Sequence, residues 1–138
     1  MNTNILLDTC AAIWITENAK IAEAAEDELD KSIELGFPVM LSPTIAWEMG
    51  MLVARKRYSS RITVQAWFEA LLGRPNTAFA DLTPSIFIQS SFLPGEPPRD
   101  PFDRLFIATA RERGYRIMTR DSKILDYAEQ GHVQAIAC

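Results

Sequence analysis

The chain has 138 residues, of which 48% are hydrophobic and 23% charged, and these proportions suit one globular domain with a hydrophobic core. No apolar stretch is long enough to cross a bilayer and the first residues lack the pattern of a signal peptide, so we expect a cytoplasmic protein with no membrane partner. The two cysteines, Cys10 and Cys138, and the lone histidine, His132, argue against a disulfide framework and against a zinc site built on cysteine or histidine.

Charge is distributed unevenly along the chain. The net charge is −4, and residues 1–36 contribute eight acids and two lysines, or −6, which leaves +2 for the remainder. Basic residues cluster within 55–61 and again within 99–120. Solvated helix surface would explain either cluster, and so would a rim that contacts phosphates. The sequence leaves both explanations open.

Short apolar runs alternate with helical patterns along the chain. Five runs are predicted to be strands: residues 5–7, 37–41, 77–82, 115–119 and 133–137. Seven segments are predicted to be helices: residues 10–17, 20–35, 43–58, 62–73, 84–91, 101–114 and 121–130. The proline-rich residues 92–99 are expected to form a rigid connecting loop rather than a domain linker.

This alternation of strands and helices indicates the α/β class. We expect a single domain over residues 1–138, with a parallel sheet of about four to five strands and helices on both faces. In such a sheet a ligand binds beyond the carboxyl ends of the strands, which is also the edge where the following helices begin.

Four acidic residues interrupt apolar segments, where a carboxylate is costly unless it is paired, hydrogen-bonded or bound to a metal. They are Asp8, Glu48, Asp103 and Asp121. Asp8 and Asp121 follow predicted strands, and Asp103 lies in the first turn of a predicted helix. Glu48 lies about one turn into another helix. All four can therefore converge on one edge of the sheet.

Each acid also has a purely structural explanation. Asp8 and Asp121 could cap the helices that follow them, and Glu48 could be a carboxylate at the edge of the core. Asp100 together with Asp103 resembles a capping box. We favour the capping role for Asp100 and the site for Asp103, because the helix of Asp103 is apolar nearly all round and should be buried. Capping and metal binding are compatible, since a carboxylate has two oxygens.

The four acids taken together point to a metal ion. Clustered carboxylates repel one another and need a cation. Oxygen ligands without cysteine or histidine favour Mg²⁺ or Mn²⁺ over Zn²⁺. Such ions clamp phosphate oxygens and lower the pKa of a bound water, which is the equipment for phosphodiester hydrolysis.

Four segments of the chain carry a resemblance to a known family: residues 6–14, 42–49, 99–110 and 117–121. In order and spacing they resemble the four blocks of a PIN domain, and they are close to the VapC toxins of bacterial type II toxin–antitoxin modules. The resemblance covers essentially the whole chain, and the set of blocks is highly specific.

The resemblance implies an endoribonuclease that depends on Mg²⁺ or Mn²⁺. The acidic quartet of the family is matched by four residues: Asp8, Glu48, Asp103 and Asp121. Three of them would hold the metal, whereas Glu48 would bind it or orient the attacking water. Asp100 matches a further acid of this branch of the family. Cys10 stands where relatives often have histidine, which puts no metal ligand in doubt.

The resemblance also implies partners. Members are usually homodimers, held inactive by a VapB-like antitoxin whose tail covers the site. Their substrates are structured or messenger RNAs, with tRNA frequent. In this chain Arg99 and Arg104 are expected to position phosphates, and Thr119 is a further candidate for contact with the substrate.

Other classes of protein use similar residues. A phosphoacceptor receiver domain needs a lysine after its last strand, and residues 136–138 of this chain contain none. A catalytically silent PIN scaffold that binds RNA or a protein partner remains open, although the complete set of acids argues against it. A metal-dependent phosphatase or a DNA nuclease would use the same ligands, so the assignment to RNA rests on the resemblance.

Overall fold

A computed structural model describes residues 4–138, which contain five strands and seven helices. The strands are β1 (Ile5–Leu7), β2 (Val39–Leu41), β3 (Thr77–Phe79), β4 (Arg116–Thr119) and β5 (Gln134–Ala137). The helices are α1 (Thr9–Thr16), α2 (Glu23–Glu34), α3 (Pro43–Ala54), α4 (Val64–Leu72), α5 (Pro84–Ser91), α6 (Pro101–Arg113) and α7 (Ser122–Glu129). None of the helices in this part of the chain is both long enough and apolar enough to cross a membrane.

The strands form one parallel sheet in the order β3-β2-β1-β4-β5. Leu6 in β1 lies opposite Met40 on one side and Ile117 on the other. From β1 the chain extends the sheet through β2 and β3, and it then returns to add β4 and β5 on the other side. The strand order therefore reverses between β1 and β4, and parallel sheets bind their ligands at such switch points. The predicted α/β fold is confirmed.

The central strands are buried on both faces. Every residue of β1 and β2 is buried, as are residues 117–119 of β4. Because neighbouring strand residues point to opposite faces, helices must cover both sides of the sheet. Helix α6 is buried without interruption over residues 105–110, as its apolar sequence predicts.

Helix α3 ends earlier than the sequence predicts. Its last residue is Ala54, whereas the apolar pattern favours a helix to about residue 58. Lys56 adopts a left-handed conformation with φ of 57°, and the backbone nitrogens of Arg57 and Tyr58 both donate to the carbonyl of Leu52. The chain therefore turns out of the helix before the apolar pattern ends.

Helix α2 begins at Glu23, three residues later than the sequence predicts. The residue before it is Ala22, whose methyl side chain cannot accept a hydrogen bond from the first turn. The other end follows the prediction, because Gly36 adopts φ of 85° just after the helix. Gly114 ends α6 in the same left-handed conformation, with φ of 73°.

The connecting loop at 92–99 is held by Arg104 of α6. The Nε of Arg104 donates to the carbonyl oxygen of Pro98 at 2.7 Å, within the loop. Its Nη1 donates to the carbonyl oxygen of Ser90 at 3.2 Å, just before the loop begins. One guanidinium therefore joins both ends of the loop.

Two aromatic side chains hold the middle of the same loop. The hydroxyl of Tyr127 donates to the carbonyl of Pro94 at 2.5 Å. His132 packs beside Tyr127, with 4.9 Å between the ring centroids. Its Nε2 would lie 2.6 Å from a Cβ at Gly95, where φ is +67°, so only glycine fits there. These contacts fix the course of the loop between α5 and α6.

Candidate metal centre

Asp8 is the most deeply buried of the predicted metal ligands. It follows β1 directly and is only 6% exposed. Its Oδ1 accepts a hydrogen bond from the backbone nitrogen of Ala11 at 2.8 Å, and the hydroxyl of Thr119 also bonds to this carboxyl group. Burial raises the pKa of Asp8 to about 6, although both hydrogen bonds favour the charged form. Asp8 thus caps α1 while it remains a candidate ligand.

Asp121 lies across the switch point from Asp8, two residues after the end of β4. Its Oδ1 accepts a hydrogen bond from the backbone nitrogen of Lys123 at 2.8 Å and so caps α7. Its own backbone nitrogen donates to the Oγ1 of Thr119 at 2.9 Å. One threonine side chain therefore bonds to both Asp8 and the turn that carries Asp121.

Thr119 itself is fully buried, with 0% of its surface exposed. A side chain in this position cannot reach a substrate, so the structure argues against the predicted contact between Thr119 and the substrate. Its contacts instead give it a positioning role beneath the two acids. The sequence indicates Thr119 as a hydroxyl neighbouring Asp121, which is confirmed, but it does not indicate the proximity to Asp8, because neighbours across the sheet are not evident from the chain.

Asp100 and Asp103 lie at the start of α6. The Oδ1 of Asp100 accepts hydrogen bonds from the backbone nitrogens of Phe102 at 2.7 Å and Asp103 at 3.1 Å, which confirms its capping role. Within residues 4–138, no hydrogen bond to the half-buried carboxyl of Asp103 offsets its burial. Burial, followed by repulsion from Asp100 and the other acids, raises the pKa of Asp103 to about 8.

Glu48 approaches the same edge from α3, where its side chain is half-buried. Burial raises its pKa, and repulsion from Asp100, Asp8 and Asp121 raises it further. The buried hydroxyl of Thr9 approaches Glu48 and lowers the pKa, but it has no partner at ordinary hydrogen-bond geometry. Thr9 therefore lies near Glu48 without forming a regular hydrogen bond to it.

The acids share one electrostatic environment. Cys10 is exposed as a residue, but partial burial of its thiol raises the pKa of that thiol to about 12. Repulsion from four carboxylates adds to this effect. Those carboxylates are Asp8, Glu48, Asp121 and Asp103. As the side chains stand, no three Asp, Glu, His or Cys groups of residues 4–138 are close enough to enclose a metal ion by themselves. The structure thus gathers the acids at one edge without forming a closed cage.

Much of the basic group at 99–120 is engaged within the protein. Four of its arginines donate to backbone carbonyls or pair with a carboxylate: Arg104, Arg111, Arg116 and Arg120. The ion pair is formed with Glu28 at 2.7 Å. Arg99 differs, because it is exposed and its side chain has no such partner among the residues that the structure describes. Most of these arginines therefore stabilise the fold, whereas the side chain of Arg99 makes none of these contacts.

Arg120 connects the turn that carries Asp121 to three other parts of the chain. Its guanidinium carbon lies 3.8 Å from the centroid of the Trp14 ring. Its Nε donates to the carbonyl of Cys138 at 2.7 Å, and its Nη2 donates to the carbonyl of Lys20 at 3.0 Å. Sequence reasoning missed this role, for which adjacency to Asp121 was the only signal.

An aromatic pair borders the acids. Trp47 precedes Glu48 and Phe102 precedes Asp103, and the two rings meet edge to face with 4.4 Å between their centroids. Trp47 remains 50% exposed. The pair therefore joins α3 to α6 beside two of the acids, and half of the indole surface stays accessible to solvent.

Similarity to known proteins shows the family to which this fold belongs. A sequence profile of the PIN domain matches residues 5–130 of the chain. The chain belongs to the PIN domain family. This PIN domain is similar to the ribonuclease VapC22 of Mycobacterium tuberculosis, with 32% identity over 124 residues. That similarity covers 88% of this chain and 90% of the relative, so the predicted resemblance is confirmed.

Solved structures agree with the PIN fold. VapBC2 from Rickettsia felis, bound to a DNA fragment from their promoter, matches with a TM-score of 0.65 and 10% identity over 96% of this chain and 97% of that one. FitAcB from Neisseria gonorrhoeae matches with a TM-score of 0.57 and 20% identity over 96% of each chain. At these identities the likeness shows a shared fold alone.

Proposed function

We propose that this PIN domain is a metal-dependent endoribonuclease, the toxin of a type II toxin–antitoxin pair, which hydrolyses RNA phosphodiester bonds. The gathering of carboxylates at the switch point carries the proposal. Burial, with repulsion between the acids added to it, raises the pKa of Asp8 to about 6 and that of Asp103 to about 8. Strongly perturbed acids gathered at one edge are typical of functional sites. The similarity to ribonuclease VapC22 supports RNA as the substrate class.

Mg²⁺ or Mn²⁺ fits the residues at this edge. The donors are carboxylate oxygens, and Mg²⁺ keeps several of its waters while it binds one or two carboxylates, so an open arrangement suits it. Asp8, Asp103 and Asp121 would hold the ion. Glu48 would bind it or orient the attacking water, and Asp100 is a further candidate ligand. When bound, the ion would activate water and neutralise charge on the phosphate.

Hydrogen bonds and protonation within the protein determine which carboxylate oxygens are available to the ion. Backbone amides already engage one oxygen of Asp8 and one of Asp121, which leaves the second oxygen of each carboxylate for a ligand. At neutral pH the carboxyl of Asp103 holds a proton, because its pKa is about 8. This proton must leave when a cation binds, so cation binding should release protons and strengthen as the pH rises.

The proposal includes a second copy of the chain. Three large side chains of α5 and its end are exposed although they are apolar: Phe87, Ile88 and Phe92, at 49%, 62% and 81%. Large apolar side chains that are exposed close together along one helix are typical of protein interfaces. We therefore propose a homodimer that uses α5.

The remaining partners follow from the family. We propose a VapB-like antitoxin that inhibits the enzyme and an RNA substrate, tRNA or mRNA. A cytoplasmic location belongs to the same proposal, because these RNAs are found there.

Cleavage of total cellular RNA by the purified, antitoxin-free protein tests the proposed function. Reactions with Mn²⁺ and with EDTA should be run for the wild type, Asp8→Asn and Asp103→Asn. Asp30→Asn is the matched control, because Asp30 is an exposed acid on α2. We expect cleavage by the wild type and the control with Mn²⁺ only. Single-stranded DNA in a parallel reaction separates a ribonuclease from a DNA nuclease.

The outcomes separate the alternatives. Cleavage that persists in EDTA or in Asp103→Asn would reject the carboxylate site as its source. A folded wild type that neither binds Mn²⁺ nor cuts RNA would support the silent scaffold. Cleavage of DNA but not RNA would reject the assigned substrate class. Mapping the cut ends would identify the RNA target.

A further inference from the structure

An open cleft of about 670 Å³ is bordered by segments that adjoin the acids. Its walls are the 92–99 loop, the start of α6 and one side of α7 along its length, and it is lined by Arg99, Arg104 and Lys123 among others. Arg99 directly precedes Asp100, and the backbone nitrogen of Lys123 bonds to Asp121. The cleft therefore opens from the edge where the acids converge. Its volume lies within the usual range of ligand pockets, which is about 300 to 1,000 Å³.

The cleft has its shape before a ligand arrives. Arg104 holds both ends of the loop that forms one wall, and Tyr127 holds its middle. A wall fixed in this way loses little conformational freedom on binding, which favours affinity.

The charges in the cleft are arranged along its length. Arg99 and Lys123 are exposed, and in the part of the chain that the structure describes their side chains form no hydrogen bond or ion pair. Along the chain both are close to acids of the site, since Arg99 precedes Asp100 and Lys123 follows Asp121 by two residues. The acids that line the cleft are farther along the chain from the site, because Asp126 is about one helical turn beyond Lys123 and two prolines separate Glu96 from Arg99.

This arrangement suits a phosphate that neighbours the reacting one. The crowded carboxylates repel a polyanion, so an RNA strand needs cations close to the place where it meets them. A charged groove that follows the backbone is the usual way to bind a single strand. A duplex presents its phosphates on a convex surface and fits a cleft poorly.

Resting on the ribonuclease function proposed above, we propose that this cleft binds the backbone of single-stranded RNA directly beside the bond that is cut. Arg99 and Lys123 each contact a phosphate, and Arg104 fixes the wall rather than serving mainly as a phosphate ligand.

Binding of a labelled single-stranded RNA oligonucleotide, measured by fluorescence anisotropy in EDTA, tests the cleft without cleavage. Arg99→Ala and Lys123→Ala are compared with Arg74→Ala and Lys31→Ala. These controls remove the same residue types from exposed positions where helices end, at the opposite edge of the sheet. Circular dichroism confirms that each variant is folded.

We expect each cleft variant to weaken binding by about three- to tenfold at low salt and to reduce the salt slope by about 0.7. The controls should stay within about twofold of the wild type. With Mn²⁺, the cleft variants should raise KM more than they lower kcat.

Cleft variants that match the controls in affinity and salt slope, while the wild type still cuts RNA, would overturn the inference and leave the proposed function intact. An equal loss of affinity for duplex RNA would overturn the assignment to a single strand. A wild type that neither binds nor cuts RNA would reject the proposed function and the cleft together.

Discussion

Replacing Asp103 with asparagine should stabilise the metal-free protein, although it should abolish the proposed activity. The pKa of Asp103 is raised from 3.8 to about 8, first by burial and then by the surrounding acids. The unfolded chain ionises at the ordinary pKa, so rising pH favours unfolding from about pH 4 until about pH 8. Asparagine keeps the shape of the side chain and removes this penalty.

The size of the effect follows from the pKa of Asp103. Neutral pH lies about three units above the ordinary pKa of 3.8. This difference sets an upper bound of roughly 4 kcal/mol on the gain in the free energy of unfolding. Asp103 is only half-buried, so water screens much of this energy, and we expect a gain of about 1 to 2 kcal/mol. This corresponds to a rise in Tm of about 3 to 8 °C. Near pH 5 about a third of this gain should remain, and below about pH 4 it should vanish.

Thermal unfolding in EDTA between about pH 5 and pH 8 measures the effect. Asp30→Asn is the control and should unfold like the wild type, because Asp30 is exposed. Adding Mn²⁺ should raise the Tm of the wild type but not that of Asp103→Asn. A Tm gain for Asp103→Asn that does not grow with pH, or a loss at pH 8, would refute the reasoning.

Three further changes test other parts of the structure. Arg120→Ala should lower the free energy of unfolding by about 1 to 3 kcal/mol in urea titrations, because it removes two hydrogen bonds and a cation–π contact. Thr119→Val should raise the pKa of Asp8 further, which would move the pH dependence of Mn²⁺ binding, followed by calorimetry, to higher pH. Phe92→Glu should convert a dimer to a monomer in light scattering, whereas Leu35→Glu, 66% exposed elsewhere, should not.

Each of these three predictions has a result that would contradict it. Unchanged urea midpoints for Arg120→Ala would mean that its contacts add no stability. A Mn²⁺ binding profile of Thr119→Val that overlays the wild type would remove Thr119 from the support of Asp8. Equal masses for Phe92→Glu and the wild type would exclude α5 from a dimer.

The fold was predictable because its signals are local. Ser42 and Thr83 each stand before a proline, and each hydroxyl accepts a hydrogen bond from the first turn of its helix, at 3.0 Å and 3.3 Å. Asp100 does the same before Pro101. The capping positions and the apolar periods therefore located the elements, and the order of parallel strands brought the acids to one edge.

The supporting contacts of the site were not predictable in the same way. Arg104 was expected to bind phosphate, but its donors reach carbonyls that only the folded loop brings near. Arg120 bonds to the carbonyl of Lys20, which is 100 positions away along the chain. Carbonyl groups occur at every residue, so a sequence holds no sign of which one a guanidinium will meet.

Trp47 gives the protein an intrinsic fluorescence probe beside the acids. The chain has three tryptophans, of which Trp67 is buried and Trp14 is covered by a guanidinium, whereas Trp47 is half-exposed beside Glu48. Acrylamide should therefore quench Trp47 emission preferentially, and paramagnetic Mn²⁺ at the neighbouring carboxylates should quench it as well. Binding of the ion and of RNA can therefore be followed in unlabelled protein through the fluorescence of Trp47.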